Sequence, residues 1–287
     1  MIVKMMIIVF IVLVELLLVL TEEKEKILFS HSFQKTFPSN PKEIIKAFRS
    51  LKKPQIIKLS LSCIIIIIFG IFNNVQIIGN PIPENNCYYD VVHEWFKPLN
   101  YYFRGDKAFS SFLCIFGSVS IDILFLISYY SWAIYSVDWR YGFNTMLFYG
   151  IRYILNETAR LRMPDLLYFP YPGFPSIVVG YIQGSDFFFS GHCGFPITCM
   201  MEFIWLKKFW LAGYAIFVTC VEFIMMEACR EHYTIDLVVG IIFAHYISII
   251  GRGWVKFFYD KIKFLNRLKM VNRQELKRIK LDWDVGD

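Results

Sequence analysis

The sequence predicts an all-α, multi-pass membrane protein: a core bundle of six transmembrane helices preceded by one further hydrophobic segment. Three observations carry that expectation. Apolar residues make up 56% of the 287-residue chain and aromatic residues 18%, with 29 Phe, a balance far from that of soluble domains. Apolar runs of about 20 residues recur along the chain, the length a helix needs to cross the hydrocarbon core. Lipid offers no partner to an open backbone donor or acceptor, so each such run has to be helical.

The elements follow in order. Residues 1–21 open with "MIVKMMIIVFIVLVELLLVL", an apolar run interrupted by Glu15 and followed by "TEEKEK" with no small-residue cleavage site. It reads as a hydrophobic leader or, preferably, an uncleaved signal anchor. A basic segment, 22–54, precedes the six-span membrane domain, 55–251. The spans are expected at 57–79, 109–134, 141–156, 187–206, 209–229 and 233–251. A basic tail, 252–287, carries Trp254, Phe257 and Phe258 among its cations and reads as an interfacial amphipathic helix.

The formal net charge of +6 comes from basic residues beside apolar runs. That placement serves topology and anionic headgroups, and it excludes nucleic acid as the partner. With the first of the six spans running outward from the cytosol, the inner segments hold 22 Lys/Arg and the outer loops six. This excess puts both tails in the cytosol. The seven cysteines (63, 87, 114, 193, 199, 220, 229) show no C-x-x-C and no zinc spacing, so no disulfide framework or metal site is expected.

The same topology brings chemistry together. The fourth span opens with "SDFFFSGHCGF" and the sixth with "EHYTIDL", and both run inward from one face. His192 and His232 therefore arrive at one depth on one side of the membrane. On a helix His232 and Asp236 lie four residues apart, about 6 Å in rise and on one face. A carboxylate there fixes the imidazole tautomer and leaves the other ring nitrogen free as nucleophile or base. An acid inside a span costs about 2.5–3.5 kcal/mol near the bilayer centre, so such a pair is a functional site by default. Asp122, Glu202 and Glu222 are further acids within spans; Glu222 is the one expected nearest the site. His245, about 20 Å deeper along a straight helix, stands outside it.

These motifs carry a resemblance. "DFFFSGH" (186–192) resembles the D-x-x-x-S-G-H motif of sphingomyelin synthases, and "HYTID" (232–236) matches their second motif. Plant phosphatidylcholine:diacylglycerol cholinephosphotransferases carry a similar pair. Both groups belong to the lipid phosphatase/phosphotransferase superfamily, which has a six-span core. "YGIRYILNETARLRMPD" (149–165) is more loosely similar to a further segment of the family, and "PIPENNCYYD" (81–90) only faintly resembles its first proline-rich motif. The resemblance covers roughly residues 140–252.

The resemblance implies a mechanism. His232 attacks the phosphorus of a phospholipid headgroup, Asp236 orients and stabilises it, and His192 acts as acid to the leaving alkoxide and then as base to the acceptor hydroxyl. Ser190 is expected to bond the phosphate or shape the turn; Asp186, Arg152 and Tyr233 are the other substrate-binding candidates. The partners are a phospholipid donor, most simply phosphatidylcholine, and ceramide or diacylglycerol as acceptor. No cofactor and no metal is called for. The site is expected on the lumenal or exoplasmic face of the Golgi, endoplasmic reticulum or plasma membrane.

Two departures rank the chemistry. The chain has no R-P dipeptide, and Met226 stands where the superfamily's phosphatases place an Arg. Fewer cations suit a monoanionic diester better than a dianionic monoester, which favours transferase over lipid phosphate phosphatase. Gly184-Ser185 replaces the family's Cys-Gly, which leaves headgroup and acceptor open. A non-catalytic membrane scaffold is the third reading. The outer loop "LLYFPYPGFPSIVVGY" (166–181) reads as an interfacial aromatic belt or a cage for a quaternary ammonium. Asn156-Glu157-Thr158 is a glycosylation sequon, expected outside but too close to the membrane to be modified.

Overall fold

A computed structural model describes residues 88–135, 139–159, 161–181 and 186–251, with scattered positions between 45 and 71 and at 253, 254, 257 and 261. The leader, most of the segment 22–54 and most of the tail lie outside the described residues. Thr36–Gly251 forms one compact unit, and every described element in it is helical.

Two short helices, α1 (Val91–Trp95) and α2 (Lys97–Gly105), lead into the long α3 (Lys107–Tyr135). Asp90 caps α1 by accepting from the Val92 N–H at 3.0 Å, one of the donors a helix start leaves open. Helix α4 (Arg140–Thr158) is followed by an irregular segment, then α5 (Gly191–Trp205) and α6 (Phe209–Cys229). Arg230, in the left-handed region at φ 54°, ends α6, and α7 (Thr234–Gly251) starts four residues later.

Helices α3, α6 and α7 are long and apolar enough to cross a membrane. The other three expected spans fare differently. Helix α4 has the length but carries Arg140, Asn144, Arg152 and Asn156, all buried, so its composition is too polar to meet that description. Helix α5 starts at Gly191 rather than at 187, because Ser190 before it is extended (φ −68°, ψ 125°). The span at 57–79 falls largely outside the described residues.

The distribution of polarity is that of a membrane bundle. Ile123 and Leu126 of α3, Ile216 and Ile224 of α6, and Ile242 and Ile249 of α7 are exposed, while Ser128, Asn144, Glu202, Glu222 and Asp236 are buried. Lipid can solvate the first set and not the second. Helix α5 packs on α6, with α3 against both and α4 against α5; Cys193, Cys199 and Phe203 meet Leu211, Ala215 and Met226 in the core. At the end away from the histidines, Arg140 donates to Glu202 at 2.6 Å and lies 4.1 Å from the Trp205 ring centroid.

Candidate active site

His192 enters from the first turn of α5, directly after the extended Ser190. His232 sits in the turn between α6 and α7, and Asp236 in the first turn of α7. Close backbone approach brings the two helix starts together. The Ser190 N–H donates to the Asp236 carbonyl at 3.3 Å, and a Cβ added at Gly240 would lie 2.5 Å from the Ser190 carbonyl oxygen. Only glycine fits there.

The result is two imidazole–carboxylate pairs. His232 donates from Nδ1 to Asp236 Oδ2, and His192 from Nδ1 to Glu222 Oε2 at 2.9 Å. The ring centroids of His192 and His232 are 5.4 Å apart and their planes meet at 60°. Asp236 places the proton of His232 on Nδ1, which leaves Nε2 of the neutral ring with its lone pair; Glu222 holds the Nδ1–H of His192 in the same way. Burial first, then the adjacent His192, push His232 down from its usual range to about 3, so it is uncharged at neutral pH. That is the form a nucleophile needs.

One carboxylate outside the sequence-predicted set fixes the His232 turn. Asp90 accepts from the Thr234 N–H at 2.6 Å and from Thr234 Oγ at 2.9 Å, and so caps α7 as well as α1. Three residues on, His93 Nε2 lies 2.8 Å from the His232 carbonyl oxygen, to which it donates. Burial lowers the His93 pKa, in keeping with a neutral donor. Arg230 donates to the carbonyls of His93 at 2.8 Å and Asp165 at 3.1 Å. Donor atoms of Asp90, His93 and Glu227 lie within 4.8 Å of one another, close enough to hold a metal ion. Yet both Asp90 oxygens and His93 Nε2 already brace the 232–234 backbone, so the set reads as a clamp.

The remaining predicted residues divide by their partners. Ser190 Oγ is buried with no hydrogen-bond partner among the described residues, as are Asp236 Oδ1 and Glu222 Oε1. Of these, Ser190 Oγ can donate to a substrate oxygen, whereas Glu222 Oε1 lies against Gly117 of α3. Asp186 instead pairs with Arg152 and Asn156, and Arg152 also donates from Nε to the Phe189 carbonyl at 2.8 Å. Burial raises the Asp186 pKa, against the Arg152 charge beside it. These three side chains tie α4 to the segment leading into α5. Tyr233 is buried, its hydroxyl donating to the Arg162 carbonyl at 2.8 Å and its ring stacked 5.7 Å from His93.

Glu222, the intramembrane acid expected nearest the site, is the partner of His192. Its position, ten residues before His232 on the preceding helix, is no helical repeat of His192, so no spacing points to the pair. Phe169 of the outer loop stands edge-on to His192 at 6.1 Å and stacks on Tyr181 at 5.1 Å.

Fold and site define a helical membrane protein whose buried interior holds two facing histidine–carboxylate pairs. The chain belongs to the AtPDCT1/2 family, the phosphatidylcholine:diacylglycerol cholinephosphotransferases, whose family model matches residues 89–252. The matched stretch takes in α1 through α7 and both motif segments. Of the two resemblances in the sequence, it is the cholinephosphotransferase one that this supports. No curated protein and no solved structure matches the chain.

Proposed function

We propose that this chain moves phosphocholine from phosphatidylcholine to the free hydroxyl of diacylglycerol through a phosphohistidine intermediate. The observation that carries the reading is the meeting of two imidazoles, each held by its own carboxylate, with ring centroids 5.4 Å apart. A single phosphorus between them has a nucleophile on one side and an acid on the other.

His232 Nε2 attacks phosphorus; the P–N bond forms as the P–O bond to diacylglycerol breaks. His192, entering the step protonated and stabilised by Glu222, gives its proton to the leaving alkoxide. Asp236 balances the charge that develops on His232. The first diacylglycerol leaves and a second enters, His192 removes its hydroxyl proton, and the new oxygen displaces His232 from phosphorus. The bonds broken and made are of one type, so the exchange runs near equilibrium and mixes the acyl chains of the two lipid pools. Ser190 Oγ, buried and open, donates to a phosphate oxygen. The excess of cytosolic cations predicted from sequence favours a lumenal or exoplasmic site.

Membranes containing the chain, supplied with fluorescent diacylglycerol or fluorescent ceramide, test the reading. Fluorescent phosphatidylcholine made by the parent chain and lost in His192→Ala and His232→Ala is the expected result. A sphingomyelin product instead would move the acceptor to ceramide. Phosphate released from phosphatidic acid, with no choline-bearing product, would overturn transfer in favour of hydrolysis.

A further inference from the structure

Asp122 is buried near the middle of α3, and its partners come from a loop. Its carboxylate accepts from Ser176 Oγ at 2.9 Å, from the Ile177 N–H at 3.0 Å and from the Val178 N–H at 3.0 Å. The non-helical segment at 176–178 therefore lies at the depth of Asp122.

That depth is calculable. Asp122 is about 22 Å along the axis from Lys107 and about 18 Å from Ile134 at 1.5 Å per residue. The helix exceeds a hydrocarbon core of about 30 Å by about 10 Å. Whichever end that excess projects from, Asp122 stays at least about 7 Å inside the core for an upright helix.

The loop has the composition such a position demands. No charged residue occurs from 166 to 181. Pro170, Pro172 and Pro175 carry no N–H, which removes donors that lipid would leave open. The N–H groups of Ile177 and Val178 go to Asp122, and that of Val179 goes to Ser176 Oγ at 2.9 Å. Tyr171, Phe174 and Ile177 are exposed. On the opposite side Tyr181 bonds Ser118 and stacks on Phe169, the neighbour of His192.

We propose that residues 171–178 form a re-entrant element inserted into the bilayer, anchored by Asp122, whose exposed side chains contact lipid acyl chains. Its return limb walls the histidine pair from that lipid. The surface is thus one where the tails of a lipid lie while its headgroup reaches the imidazoles; this last clause rests on the transferase reading, the insertion does not.

Two measurements on the full chain in membranes test the insertion independently of activity. A phosphatidylcholine carrying a diazirine on its acyl chain is photolysed and the adducts are mapped by mass spectrometry. Adducts at 171–178, alongside those at the exposed α3 residues Ile123 and Leu126, are expected. A membrane-impermeant charged maleimide is then applied from both sides to Ile177→Cys and to Asp165→Cys, whose side chain is 82% exposed, with the unsubstituted chain as background. Labelling at 165 and its loss at 177 are expected. Equal labelling at both positions, with acyl-chain adducts on α3 but none in 171–178, would overturn the proposal.

Discussion

Glu222 Oε2 accepts from His192 Nδ1 at 2.9 Å, while Glu222 Oε1 lies against Gly117 of α3, where an added Cβ would be 2.6 Å away. The acid is held from the side opposite the histidine by a residue with no side chain. Glu222→Gln keeps a hydrogen-bond acceptor but removes the charge that stabilises protonated His192. The expected effect is a fall in turnover of about 10²–10⁴-fold, the usual worth of general acid–base catalysis, with the Michaelis constant for diacylglycerol little changed. Initial rates in membranes matched for expression check it. Gly117→Ala displaces the same carboxylate and should lower turnover although no titrating side chain is replaced.

Asp90 reaches a residue 144 positions away, capping α1 through Val92 and α7 through Thr234. Replacing it by Ala opens donors at two helix starts at once. At about 1 kcal/mol for each cap, Asp90→Ala should cost about 2 kcal/mol and lower the unfolding temperature in detergent. Asp90→Asn, which still accepts a bond, should cost less. Because Thr234 follows His232 by two residues, the Ala variant should also lose turnover. A variant that loses activity while keeping its unfolding temperature would mean that the clamp aligns His232 without stabilising the fold.

Much of the candidate site was legible because it is local. His232 and Asp236 are one helical turn apart, and the S-G-H segment carries its histidine at a helix start. Glu222 was legible as an acid near the site but not as the partner of His192, and the contacts of Asp90 and His93 were not legible at all, since each acts on a residue brought near only by packing. Helix α4 was found, but its polar buried face at Arg140, Asn144, Arg152 and Asn156 answers to neighbouring helices, which a hydropathy pattern does not report. The composition of the loop at 166–181 fits an interfacial belt or an ammonium cage, and its bond to Asp122, on which the proposed insertion rests, joins residues far apart in sequence and has no spacing signal.

Asn156 carries the sequon, yet its side chain is buried inside α4 and its Nδ2 donates to Asp186. A glycan there would require both the helix and the Asp186 contact to open. The peptide containing Asn156 should therefore be recovered unmodified from cells, and glycosidase treatment should leave the gel mobility of the chain unchanged. Asn156→Ala removes a partner from half-buried Asp186 and should cost about 0.5–1.5 kcal/mol, read as a lower unfolding temperature, whereas a glycan-linked role would leave the unfolding temperature unaltered.

The low pKa of His232, about 3 against a usual 6.5, sets a pH dependence whose sign is fixed. The native state keeps the ring neutral down to about pH 3, whereas the unfolded chain takes up a proton below about 6.5. Protons are thus bound in excess by the unfolded state between those limits, and stability falls as the pH is lowered through them. One proton contributes up to about 1.4 kcal/mol per pH unit. Unfolding temperatures in detergent from pH 7 to pH 4 should decline more steeply for the parent chain than for His232→Gln, which has no proton to gain. Across the same range the nucleophile stays unprotonated, so any acid loss of transfer that precedes unfolding must come from another group. Parallel slopes for the two chains would mean that His232 is accessible to protons in the folded state, contrary to its burial beside Asp236.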